Sequence, residues 1–321
     1  MIKGYIGTYN TFDSKGVYQF GIDETTGRIS RMQSFYAADD AKCVALAGNK
    51  LIITMSKENK GGIALLDKMT GELLDTALYE NKTPCFIGYD SGFVYTANYH
   101  DGTVMIYQIK NDKLHLTKRI DIQTKAGCHQ VILHDDYLLI PCLLMDEIRI
   151  FKRSEDFALV KILKFPQGTG PRHGVFNSEH TRFYLVSELS NEFFAYDVED
   201  LHFKLIAKIA LVSQTGQLKA SSAAIRLTRD ETCVYISTRG ADLLSVICVK
   251  DEIKLIQQRN SGKHPRDFVL SNDERYLLTV NRDSDNLIIY KLDRDTKIIG
   301  NVVSETAVPH GVGIVLENEV L

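Results

Sequence analysis

Apolar residues along this chain fall in short runs rather than at helical spacing. Runs such as Phe93-Val94-Tyr95-Thr96-Ala97, Thr103-Val104-Met105-Ile106-Tyr107, Arg182-Phe183-Tyr184-Leu185-Val186 and Leu287-Ile288-Ile289-Tyr290 are separated by turns rich in Gly, Asp and Asn. No stretch keeps apolar residues at i, i+3, i+4 and i+7 over three turns, so the pattern predicts strands almost throughout, with Ser30–Leu51 ambiguous. Many short strands at even spacing point to an all-β sandwich, barrel or propeller.

Internal repetition decides among these. The windows Phe86–Tyr107, Gln130–Phe151, Gly174–Tyr196, Ala224–Ile247 and Asp267–Tyr290 align with one another. Each opens on a short apolar strand and a polar turn, continues in an aromatic-rich strand, passes a polar loop and enters a third strand that often ends in Tyr or Phe. A fourth, more polar strand closes the unit. The period is about 42–51 residues, which with four strands per unit is the signature of propeller blades. Six blades are predicted near 43–79, 85–120, 128–165, 172–211, 222–259 and 265–306.

The seventh blade is split. Strands near Ile2–Thr8, Val17–Asp23 and Ile29–Tyr36 lack an inner partner, and Pro309-His310-Gly311-Val312-Gly313-Ile314-Val315 reads as the missing inner strand. The expected fold is therefore an all-β, seven-bladed β-propeller, its ring closed by pairing the C-terminal strand with the N-terminal strands. Closure of this kind removes the exposed edges of an open array. Length alone would suggest two domains at about 150 residues each, but seven units make about 46 residues apiece, so one domain over 1–321 is expected.

Composition narrows the function. With 38 Lys+Arg against 41 Asp+Glu the net charge is −3, which gives no footprint for nucleic-acid binding. A 44% hydrophobic share supplies a large core and argues against disorder. The start, Met1-Ile2-Lys3-Gly4-Tyr5, reads directly as strand without the features of a signal peptide, and the longest apolar run, near Tyr137–Met145, is too short to span a bilayer. Six scattered cysteines form no CxxC pair, so a zinc or redox motif is unsupported and buried reduced thiols are expected. The expectation is a cytoplasmic protein with no membrane partner.

The repeat also converts position into geometry. The start of each inner strand and the end of each second strand share one face of the disc. That rule gathers His129, Arg172, His173, Glu188, Arg239, Arg266, Asn281, Asn98 and His310 around one mouth of the central channel. His129 is the natural general base, because an unperturbed imidazole titrates near neutral pH. Glu188 can orient a water or shuttle a proton, and Arg172 and Arg239 can hold a phosphate or carboxylate and stabilise an oxyanion. His173, Asn98, Lys263, Arg266, Asn281 and His310 are candidate substrate-binding residues.

Taken singly, a histidine at a strand start is more often a core or turn residue, and an Arg–Glu pair is more often structural; the convergence carries the argument. His100, His115, His134, His180 and His202 read as surface, and Asp146 and Asp285 as turn braces. No GxSxG elbow, phosphate-binding loop, HExxH helix or GxGxxG turn is present, and nothing calls for a metal or cofactor.

At these same residues the chain resembles the seven-bladed propeller lactonase family. The match runs through Ile6-Gly7-Thr8-Tyr9, Ala97-Asn98-Tyr99, Gly127-Cys128-His129, Ile140-Pro141-Cys142-Leu143, Gly170-Pro171-Arg172-His173, Ser187-Glu188-Leu189-Ser190-Asn191, Arg239 and Pro265-Arg266-Asp267-Phe268. The resemblance implies a propeller and lactone chemistry. It also implies four catalytic residues, His129, Arg172, Arg239 and Glu188, since related fungal carboxymuconate-lactonising enzymes carry a His, two Arg and a Glu in their site.

The activity expected from the resemblance is hydrolysis of 6-phospho-D-glucono-1,5-lactone to 6-phosphogluconate in the pentose phosphate pathway, without a metal. His129 would activate the water, Glu188 would position it, and Arg172 and Arg239, with Arg266 or Lys263, would hold the phosphate. The expected partner is thus an anionic sugar-phosphate lactone, bound by a monomer or weak homo-oligomer. Two alternatives stand beside it: a carboxymuconate-type cycloisomerase and a non-catalytic binding propeller.

Overall fold

The strand-like apolar runs identified in the sequence become strands and the polar turns between them hairpins, although the longest run, near Tyr137–Met145, ends in a 3-10 turn over Leu143–Met145. The computed structural model describes residues 1–30, 32–213 and 219–317. Seven antiparallel sheets follow one another around a central axis. Blades 1 to 6 span 44–80, 86–121, 132–164, 171–210, 221–260 and 265–307, each with four strands in chain order from the axis outwards. Their inner strands are Val44–Ala47, Phe86–Asp90, Ile132–His134, Pro171–Phe176, Ser221–Leu227 and Pro265–Leu270.

Blade 7 is built from both ends of the chain. Gly311–Leu316 forms the inner strand and pairs with Ile2–Thr8 in the register Gly4↔Leu316, Tyr5↔Val315 and Ile6↔Ile314. The outer edge of this blade is two short strands, Arg28–Ile29 and Gln33–Tyr36, where the sequence suggests one. Both pair with Val17–Asp23. Between them the Ser30 hydroxyl accepts the Gly21 amide, a side-chain bond that replaces a ladder bond and interrupts the strand.

Alternation of side chains gives each blade two apolar faces, and those faces meet their neighbours in seven separate clusters, one per seam. Six seams would be the count for an open row of seven blades, so the ring is closed. The aromatic residues that end third strands, Tyr107, Phe151, Tyr196 and Tyr290, are buried in these seams as the repeat predicts. Among the described residues no helix is long and apolar enough to cross a membrane.

The loops after the second strands are tied to the next blade by a recurring aspartate in left-handed backbone. Asp146 accepts the amides of Gly168 and Gly170, Asp242 accepts that of His264, and Asp285 accepts that of His310. Each clasp satisfies backbone donors where the chain crosses between blades, which is the bracing role expected for Asp146 and Asp285.

Candidate active site

The mouth is built where inner strands are irregular. A register shift lies between Pro171 and His173 in blade 4, and another between Pro265 and Asp267 in blade 6. In an unbroken strand neighbouring side chains point to opposite faces. The bulge relaxes that alternation, so Arg172 and His173 both reach the same cluster.

Arg172 anchors it. Its side chain is 2% exposed, its Nε donates to Glu188 Oε2 at 2.7 Å, and its Nη1 donates to the Ala223 carbonyl. Arg239, at the end of the strand Cys233–Arg239, donates Nε to the Ser221 carbonyl at 3.0 Å. Its Nη2 lies 2.9 Å from the same Glu188 Oε2 but without hydrogen-bond alignment, so this contact is a charge pair. Only glycine fits after Arg239: Gly240 has φ +75°, and a Cβ there would overlap the Lys219 carbonyl.

Glu188 is fixed through its backbone, whose amide donates to Gly170 at 2.8 Å. Asn191, three residues on, ties the same loop to blade 5 through Ser222 and Ala220. Burial pushes the Glu188 carboxyl up, but the charges of Arg172, Arg239 and Arg266 outweigh it and hold the group below the usual range. It is therefore a carboxylate with two guanidinium partners.

The two histidines form a relay. His129 Nδ1 lies 3.1 Å from His173 Nε2, and His173 Nδ1 lies 3.3 Å from Arg172 Nη1. Burial first, then the Arg172 charge, holds both imidazoles well below their ordinary pKa, so both are neutral at pH 7. An arginine can only donate. His173 Nδ1 is then the acceptor, its proton sits on Nε2, and that proton points at His129 Nδ1. The order of donors leaves the remaining proton of His129 on Nε2.

Arg266 completes the charge pattern. It rests over the Tyr9 ring at 5.5 Å and, among the described residues, has no carboxylate at ion-pair distance. Its charge acts on His129, His173, Arg172, Arg239 and Glu188. Within this cluster three guanidinium groups stand against one carboxylate, a net +2.

The remaining candidates sit at the same end of the fold but not in this cluster. Asn98 is buried, its Nδ2 donating to the Lys82 carbonyl and its Oδ1 accepting from His100 and Asp101. Asn281 is likewise buried and engaged with Ser261 and Asn286. Both shape loops. Lys263 is exposed, and His310 has its amide on Asp285 Oδ1, with its Nε2 3.9 Å from the same oxygen. A cleft of about 680 Å³, with Phe12, Lys15, Asp39 and Lys57 among its lining, opens next to Tyr9 but contains none of the charged cluster.

Tyr9 and Tyr99 stand in the motifs of the family resemblance but not among the candidate site residues. The strands Ile2–Thr8, Phe93–Asn98 and Arg182–Ser187 end one residue before Tyr9, Tyr99 and Glu188, so repeat register could have found both tyrosines. The Tyr99 ring lies 6.1 Å from that of His129. The cysteines beside the cluster are thiols: burial pushes Cys43 up to about 12 and also raises Cys85, and they donate to the Cys85 and Cys128 carbonyls. A thiol held protonated in this way is a weak nucleophile.

Residues 3–316 match the family model described as "Lactonase, 7-bladed beta-propeller". The chain belongs to this family. Within it, the chain is 28% identical over 346 aligned positions to the 6-phosphogluconolactonase of Bacillus subtilis (strain 168), covering 96% of each chain. Its fold matches the crystal structure of a Lactobacillus plantarum protein with a TM-score of 0.92 and 26% identity, over 98% of this chain and 99% of that one. It also matches a putative 6-phosphogluconolactonase from Bacteroides fragilis with a TM-score of 0.88 and 24% identity, over 99% and 98% of the two chains. Membership supports lactone hydrolysis as the class of reaction, on a small-molecule substrate.

Proposed function

We propose that this lactonase-family chain hydrolyses 6-phospho-D-glucono-1,5-lactone to 6-phosphogluconate, a step of the pentose phosphate pathway, in the cytoplasm and as a monomer or weak homo-oligomer. The observation that carries the reading is the cationic cluster, in which Arg266 has no carboxylate partner among the described residues while Arg172 and Arg239 share Glu188. That division of labour reserves Arg266 for the substrate phosphate. Arg172 and Arg239 hold Glu188 in place. The name of the Bacillus subtilis relative points to the same substrate.

In the reaction, a water oxygen adds to the lactone carbonyl carbon and the ring C–O bond breaks; one proton of that water ends on the ring oxygen and the other is released as the new acid ionises. The relay suits His129 to offer Nε2–H as a hydrogen bond to the developing oxyanion or to the departing ring oxygen, without giving up the proton. Base chemistry at that nitrogen would require His129 Nδ1–H and a proton on His173 Nδ1, facing the Arg172 donor. Glu188 Oε1, left over after Oε2 takes both guanidinium groups, is the atom available to orient the water.

The test is hydrolysis of the phosphorylated lactone by purified protein, measured as acid release above the fast spontaneous background. Catalysis well above background supports the reading, and a rate equal to background overturns it.

A further inference from the structure

We propose that His134, Asp135 and His180 form a site for a divalent transition ion of the zinc class, joining blades 3 and 4 on the face opposite the mouth. The sequence places both histidines in turns and suggests surface residues. The structure corrects this for His134, which is 6% exposed and stacks on Phe176 with centroids 4.4 Å apart and planes 10° from parallel. The reason is the seam: His134 ends the inner strand Ile132–His134, and the hairpin of the next blade covers it.

Three donor atoms converge there. One ring nitrogen from each histidine and a carboxylate oxygen of Asp135 lie within 4.8 Å of one another. His180 Nδ1 stands 3.1 Å from Asp135 Oδ1, close to the spacing of two ligands on one tetrahedral ion. The Asp135–His180 contact alone would read as an ion pair. It leaves one fact unexplained: His134 Nδ1 is buried with no hydrogen-bond partner among the described residues. Buried polar atoms are ordinarily satisfied, and an ion at this point would explain both observations.

The surroundings suit an ion. Asp135 and His180 both hold left-handed backbone, at φ +50° and +57°, in the tight hairpins that bring them together across the seam. A cavity of about 230 Å³ adjoins them, lined also by Glu179 and Asp200, with room for a water as a fourth ligand. Two imidazoles with one carboxylate favour zinc, cobalt or nickel over calcium or magnesium, which prefer all-oxygen shells. The site is remote from the proposed reaction, so its ion would clamp two blades rather than take part in chemistry.

The experiment uses the full chain, stripped with chelator and titrated with Co²⁺. The expected result is one Co²⁺ per chain, with the intense visible absorption of a four-coordinate ion, displaced by Zn²⁺ and accompanied by a rise in Tm. His180→Ala, in a half-exposed turn, should weaken Co²⁺ binding about tenfold or more while leaving lactone hydrolysis unchanged, and Asp135→Asn should weaken it similarly. Wild-type protein that binds no stoichiometric Co²⁺, or variants that bind it as tightly as wild type, would overturn the proposal.

Discussion

His129 Nδ1 lies 3.1 Å from His173 Nε2, and Arg172 sets the direction of that bond from the far side of His173. A buried guanidinium thus dictates which nitrogen of a second-removed imidazole carries a proton. The consequence separates two roles for His129 that mutation to alanine alone would not distinguish. If His129 donates through Nε2, then His129→Gln, whose amide can also donate, should keep kcat within about tenfold of wild type. His129→Ala should lose about 100-fold or more, the scale of one oxyanion donor. Equal losses in the two variants, measured by steady-state hydrolysis, would instead identify His129 as a base.

Of the three guanidinium groups in the cluster, Arg266 is the one without a carboxylate partner among the described residues, because Glu188 engages the other two. Arg266→Gln should therefore raise KM about 10-fold to 100-fold for the phosphorylated lactone, the scale of one charge-assisted hydrogen bond to an anion. KM for unphosphorylated glucono-1,5-lactone should change little. Parallel losses for the two substrates would show that Arg266 does not read the phosphate.

Much of this arrangement was legible beforehand. Propeller strands are short and fully specified by local pattern and turn chemistry, so the blade boundaries at 43–79 or 265–306 fall within a residue or two of the observed 44–80 and 265–307. The split blade was legible because an inner strand without a partner has to find one. What the pattern could not carry was hydrogen-bond commitment. Asn98 and Asn281 occupy mouth positions by register, yet their amides are consumed by the loops they shape. The bulge at Arg172 and His173 is equally invisible, since a register slip changes which face a side chain takes without changing the apolar pattern.

Acid sensitivity follows from the neutral histidines. Burial holds His129 and His173 well below their ordinary range and pushes His264 down to about 4. In the unfolded chain each titrates near 6.5, so below that pH the unfolded state binds more protons than the native one. Their stabilising contribution is complete above about pH 6.5 and is lost as pH falls towards the folded values, at up to about 1.4 kcal/mol per pH unit for each histidine. Burial pushes Glu80 up to about 7, which works the other way over the same interval, but the histidines outnumber it, so Tm should fall from pH 6.5 to 5. A Tm that stays level or rises across that interval would contradict neutral burial of these rings.

Ring closure rests on a seam no different in kind from the other six. Ile314 and Leu316 are buried against Ile6, Phe20, Val280 and Leu287, and they reach that place only because the C-terminal strand pairs with Ile2–Thr8. If the seam carries its share of stability, Ile314→Ala should cost about 2–5 kcal/mol, as for any buried large-to-small change. Leu278→Ala, in the interior of blade 6 at the same seam, should cost a similar amount. Urea unfolding of both variants gives the comparison. A loss below about 0.5 kcal/mol for Ile314→Ala, with a full loss for Leu278→Ala, would mean that the ring is held by its six sequential seams and that the C-terminal strand only caps an edge.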